Sequence, residues 1–132
     1  MKIYFCVSMT GSQEKMGDYK EIIDYLGSYG DVLNKFVGEK IVNSDAKYIY
    51  NRDVDNLKHA DILIADVTVI STGVGFELGY ADNLNIKTLV IYDETKKLPS
   101  SIILGNPNFT IRSYKNMAET KKVITDFIKK VK

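Results

Sequence analysis

Histidine and cysteine are nearly absent, with one of each in 132 residues. A lone cysteine excludes an internal disulfide and suits a reducing compartment. The one histidine, His59, leaves no His-rich pattern from which a metal centre could be read, and no metal or cofactor is expected. No sign of charge dominates: the formal net charge is +1, which argues for neither a nucleic-acid partner nor a membrane surface. Long apolar runs are missing too. Stretches such as "TLVIY" are far too short to span a bilayer. The opening "MKIYFCVSM" has neither the length nor the small-residue cleavage site of a signal peptide. No repeat, linker or low-complexity tract interrupts the chain. Residues 1–132 are therefore expected to form a single cytoplasmic domain, large enough to bury a core without staples.

What the sequence does contain is alternation. Strands are expected at about 2–8, 31–37, 61–67, 87–93 and 108–114. Helices are expected at about 13–28, 48–59, 74–84 and 117–131, with a helical turn near 98–104. The last helix opens with "NMAE", an Asn-x-x-Glu capping box, and carries Val123, Ile124, Phe127, Ile128 and Val131 on one face. Near-continuous apolar strands separated by helices imply a parallel sheet covered on both faces. The expected fold class is α/β: an open, doubly wound sheet of Rossmann or flavodoxin type, with about five strands. Such sheets bind ligands at the carboxyl ends of their strands.

Two loops should open at that edge, "SMTGSQE" (8–14) and "TVISTGVG" (68–75). Both are rich in Gly, Ser and Thr, and both feed a helix N-terminus. They offer backbone N–H groups and hydroxyls to an anion. Small residues also make tight turns for purely structural reasons, so loop composition alone leaves both readings open.

Two acids lie on apolar helix faces. With Val74 at zero, Phe76, Tyr80, Leu84, Ala81 and Leu78 sweep an arc from roughly 200° to 40°, and Glu77 falls inside it at roughly 300°. A glutamate is almost never fully buried unless paired. Nor does Glu77 fit a capping box begun by Ser71 or Thr72, because the spacing is wrong. In the preceding helix, with Tyr50 at zero, Asp53 falls at roughly 300°, within the arc of Ile49, Val54, Leu57 and Ala60. Both acids would meet at the carboxyl edge of the sheet. A carboxylate pair there can perform glycosyl chemistry, one attacking an acetal carbon while a second group helps the leaving group depart. Glu77, near a helix N-terminus, would be held ionised by the dipole. Tyr4 is either a strand-packing aromatic or a hydroxyl that orients one carboxylate. Cys6, inside an apolar run, reads as a core residue, and His59 as a surface one.

"IYFCVSMTGS" together with "ADVTVISTGVGFELGYA" resembles the nucleoside 2-deoxyribosyltransferase superfamily, and within it the 2'-deoxynucleoside 5'-monophosphate N-glycosidases. The resemblance covers nearly the whole chain, and "GVGFELGYA" is its most specific segment. It implies cleavage of an N-glycosidic bond through a covalent deoxyribosyl ester on Glu77. Asp53, in "NRDVDNL", would position the sugar and protonate the base, and Tyr4 would hold the nucleophile. It further implies phosphate-binding serines at Ser8, Ser71 and Ser100, beside Gly11, Gly73 and Gly75, and a homodimer in which Ser100 serves the neighbouring site. Met9 and the loop 38–47 would wall the base. Val7, "TGS" (10–12) and "SSIILGN" (100–106) depart from the pattern and leave the phosphate site less cationic. The expected reaction is hydrolysis of 2'-deoxyribonucleoside 5'-monophosphates. The alternatives are base exchange through the same ester, or a non-catalytic nucleotide-sensing or receiver-like module using Asp66.

Overall fold

A computed structural model describes residues 1–9, 13–38, 45–69 and 71–132. Gly11 and positions 39–44 of the expected base-walling loop lie outside the described residues. The elements are β1 (Lys2–Cys6), α1 (Met16–Gly27), β2 (Asp31–Val32), α2 (Ala46–His59), β3 (Ile62–Asp66), α3 (Thr72–Asn83), β4 (Lys87–Asp93), α4 (Ser101–Leu104), β5 (Phe109–Tyr114) and α5 (Met117–Val131). Short 3-10 helices occupy Gln13–Lys15 and Lys35–Gly38. The strands form one sheet in the order β2-β1-β3-β4-β5, every neighbouring pair parallel. The expected five-stranded, doubly wound sheet is therefore present. Chain direction across the sheet reverses between β1 and β3, and the crevice for a ligand lies at their carboxyl ends.

Strand alternation sorts the core into two layers. Ile3, Phe5 and Val7 pack with Tyr19, Ile22 and Leu26 of α1 and with Ile124, Phe127 and Ile128 of α5. Tyr4 and Cys6 point to the opposite face, with Leu57 of α2 and Val74, Leu78 and Ala81 of α3. Burying a side chain of this size stabilises the fold by roughly 1.5–3 kcal/mol. Local signals set the helix ends. The Asn116 side chain accepts from Glu119 N at 2.9 Å to start α5, and Asp45 Oδ2 accepts from Tyr48 N at 3.1 Å to start α2. At the end of α3, Asn85 adopts a left-handed φ of 58°. Ile86 N then bonds Ala81 O and Asn85 N bonds Asp82 O, each at 3.0 Å, a Schellman closure that turns the chain into β4.

Three expectations need correction. The strand expected at 31–37 stops after Val32. Beyond it the Asn34 side chain takes over the pairing, accepting from Phe5 N at 2.8 Å and donating to Phe5 O at 2.5 Å. An asparagine amide carries both a donor and an acceptor, so it can substitute for one residue of ladder while the backbone turns away. Helix α3 begins at Thr72, not Val74. Its buried stripe is also narrower than the wheel suggested: Phe76 is 50% exposed and Leu84 40%. Apolar character alone overstated the arc.

Asp66, the residue behind the receiver-like alternative, is buried and fully engaged. It accepts from Tyr114 Oη and Thr68 Oγ at 2.6 Å each and from Thr68 N at 3.0 Å. Thr68 Oγ in turn accepts from Asp93 N at 2.9 Å, tying the ends of β3, β4 and β5 together. Asp66→Asn would set an amide donor against these donors. It is expected to lower unfolding stability by about 1–3 kcal/mol in urea titration, and an unchanged midpoint would contradict the structural role.

Candidate active site

The site grows from the period of β1. Tyr4 and Cys6 stand two residues apart and so share a face, directed at α3. Both side chains donate to the carboxylate of Glu77, on the second turn of α3. Cys6 Sγ also lies 3.9 Å from Val74 O. Cys6 is a core residue, as expected, but its thiol reaches the acid, a contact the sequence reading missed. The signal was available in the i, i+2 spacing from Tyr4.

Asp53 comes from α2. Glu77 and Asp53 border the same two cavities. One is a narrow cleft of about 30 Å³ whose lining includes Tyr4, Met9, Asn34, Phe36 and Arg52. The other, of about 350 Å³, opens between α2 and α3 and is lined by Ile49, Tyr50, Val54, Leu57, Gly73 and Phe76 as well. The two misplaced acids of the sequence therefore do converge.

Electrostatics here reverse one expectation. Glu77 is not held low by the dipole of α3. Its carboxyl is pushed up to about 7, chiefly by burial and further by the charge of Asp53. The Cys6 and Tyr4 hydrogen bonds and the charge of Arg52 pull the other way without overcoming burial. The dipole fails because its influence fades within the first turn and Glu77 is the sixth residue of the helix. Tyr4 and Cys6 are both driven well above their ordinary values, first by burial and then by Glu77. Both are therefore neutral donors at any working pH.

The remaining sequence candidates are scattered around this pair. Met9 and Gly73 line the cavities. Ser8 is buried past the end of β1. Ser71 begins α3 without a side-chain capping bond, and its Oγ lies 3.6 Å from where a Cβ on Gly73 would sit. Gly75 faces open space. Ser100 begins α4, exposed, and lines neither cavity bordered by the acids. His59 is exposed, as expected. Among the described residues no group of three or more His, Cys, Asp or Glu side chains could hold a metal ion. Among the same residues no helix is long and apolar enough to cross a membrane.

A family model described as nucleoside 2-deoxyribosyltransferase matches residues 3–127. A Nematostella vectensis protein, provisionally named 2'-deoxynucleoside 5'-phosphate N-hydrolase 1, is 39% identical over 125 residues, 86% of this chain and 85% of the relative. A 5-hydroxymethyl-dUMP N-hydrolase from Esox lucius is 33% identical over 141 aligned positions, covering 98% of this chain and 97% of the relative. Among solved structures, a CMP N-glycosidase from Clostridium botulinum superposes with a TM-score of 0.74 at 20% identity, covering 96% of this chain and 99% of that one, a likeness of fold.

Proposed function

Since this chain belongs to the nucleoside 2-deoxyribosyltransferase family, we propose that it hydrolyses the N-glycosidic bond of 2'-deoxyribonucleoside 5'-monophosphates. Glu77 is the nucleophile. One of its carboxylate oxygens bonds C1' of the sugar as the bond to the base nitrogen breaks, and the base leaves with that electron pair. Asp53 orients the sugar and assists the departing base. Water then attacks the ester and releases deoxyribose 5-phosphate. The observation that supports this most is the half-buried Glu77 carboxylate, held by two neutral donors from one strand and lining a cleft with a second acid. A carboxyl near 7 is partly ionised at neutral pH, basic enough to attack and acidic enough to leave again.

The 5'-phosphate is assigned to Ser8, past the end of β1, and to Ser71 and Gly73 at the start of α3, where the first N–H groups of a twelve-residue helix lack intrahelical partners and the Ser71 hydroxyl does not cap them. Gly11, Gly75 and Met9 border the substrate in this reading. Ser100 is assigned to the neighbouring subunit's site in a homodimer. Exposed apolar residues around it support that assignment: Leu98 is 64% and Ile102 85% exposed. On α2 and α3, Tyr50 and Phe76 are half-exposed with tilted rings 6.3 Å apart, and the Phe76 ring lies 5.8 Å from that of Tyr80. A cytoplasmic site of action without nucleic-acid partners fits the lone buried thiol and the balanced charge.

The test is product analysis. Each deoxynucleoside 5'-monophosphate is incubated with the protein, with and without a second free base. Free base and deoxyribose 5-phosphate in equal amounts are expected. Formation of a new nucleotide with the added base, in place of hydrolysis, would instead make this a deoxyribosyltransferase.

A further inference from the structure

Two carboxylates at one cleft pose an electrostatic problem. Like charges so close normally share a proton, which would leave the nucleophile neutral for much of the time. The donors that touch Glu77 ease it by hydrogen bonding, but Tyr4 and Cys6 are neutral and bring no opposite charge. Among the described residues lining the two cavities, Arg52 is the one cation.

The placement of Arg52 is not a default of helix geometry. Consecutive helix residues point about 100° apart and do not face each other. Yet Arg52 Nε lies 2.9 Å from Oδ1 of Asp53, its immediate neighbour in α2. The arginine has folded back across the acid. What holds it there comes from another part of the chain: its guanidinium carbon sits 3.9 Å from the centre of the Phe36 ring. The Tyr48 ring flanks the same group at 5.7 Å. A stacked guanidinium keeps its charge and its in-plane donors while losing most of its freedom. The pair is mostly shielded from solvent, with side chains 29% and 19% exposed.

We propose that Arg52, seated on Phe36, is a positioning residue: it is the counter-ion that offsets Asp53 and so favours the ionised, attacking form of Glu77 in the cleft the two acids share. The inference rests on the reading of Glu77 as nucleophile. The charge arithmetic supports it, because two acids and one arginine leave a single negative charge for a single attacking group. The groups facing Glu77 are accounted for: Tyr4 and Cys6 from β1, and Asp53 and Arg52 from α2. Tyr4 and Cys6 stabilise the carboxylate by hydrogen bonds, and among these groups Arg52 is the one whose charge offsets that of Asp53.

Two readouts test this in the wild type, Arg52→Gln, Arg52→Lys and Phe36→Leu. The first is the pH profile of kcat/KM on a deoxynucleoside 5'-monophosphate. The second is carbon-13 NMR titration of the Glu77 carboxyl in substrate-free protein, which needs no activity. Arg52→Gln is expected to move the acid limb and the Glu77 midpoint upward together, by less than about one pH unit. Arg52→Lys should restore part of the shift, since an ammonium keeps the charge but not the flat stack. Phe36→Leu should shift both in the same direction by less. A Glu77 midpoint unmoved in Arg52→Gln overturns the proposal, even if activity falls at every pH. A midpoint that moves in a protein hydrolysing no deoxynucleotide upholds the counter-ion and rejects the hydrolase reading alone.

Discussion

Glu77→Ala is expected to lower kcat by at least about 10³-fold while KM stays within several-fold, because the lost interaction exists only once the bond to C1' begins to form. The expectation follows from placement. Glu77 sits half-buried beside the stripe of Val74, Leu78 and Ala81, with Tyr4 and Cys6 donating to it and Asp53 lining the same cleft. If Glu77 merely helped to seat the substrate, its loss would raise KM and spare kcat. Glu77→Gln separates chemistry from folding. Glutamine keeps a carbonyl oxygen to accept from Tyr4 and Cys6 but cannot form the ester. Both variants should fold and both should fail at the chemical step. A kcat reduced by less than about tenfold in either would contradict covalent catalysis at this residue.

The second large effect is on stability, and its sign is unusual for an acid. A carboxylate in a salt bridge has a depressed folded pKa and stabilises the protein above it. Glu77 is shifted the other way, from 4.5 to about 7, with burial as the main cause. The folded state therefore binds this proton more tightly than the unfolded state does. Below the unfolded value the two states are protonated alike, and Glu77 makes no pH-dependent contribution. As pH rises from about 4.5 to about 7 stability is lost, and above that window the full penalty remains, on the order of 3 kcal/mol. Glu77→Gln removes the titration. Its stability relative to wild type should rise across that window, ending up to about 3 kcal/mol more stable at about pH 8 than the difference at about pH 5. Urea unfolding at both values measures this. A pH-independent difference would mean that the Glu77 carboxyl is not desolvated in the folded state. The gain in stability with loss of catalysis is the trade expected where a fold holds a charge out of water for chemistry.

The sequence made this acid visible because helix periodicity is rigid. A glutamate at roughly 300° between Leu84 and Ala81 has few places to go, and the same argument found Asp53. The sheet was legible for a similar reason, since apolar strands alternating with helices leave few topologies. Other features depended on tertiary partners. Strand β2 ends early because one side chain, Asn34, reaches across to Phe5, and nothing in "DVLNKFV" distinguishes that from ladder. Phe76 looks like core by composition and is half exposed, because apolar residues also cover surfaces and interfaces. Arg52 was invisible because adjacent helix residues rarely pair, and its ring partner lies sixteen positions away in another element. The ionisation of Glu77 was misjudged because the dipole was weighed and burial was not. Both act on the carboxyl, and burial is the larger effect here.

The most direct measurement is to quench the protein in acid during turnover of a deoxynucleoside 5'-monophosphate, digest it, and weigh the peptides. The account predicts a fraction of the peptide containing "GVGFELGYA" carrying one added deoxyribosyl 5-phosphate, at Glu77 and on no other residue, and absent from Glu77→Gln. Base released at full rate with no adduct on Glu77, or with the adduct on Asp53, would contradict it.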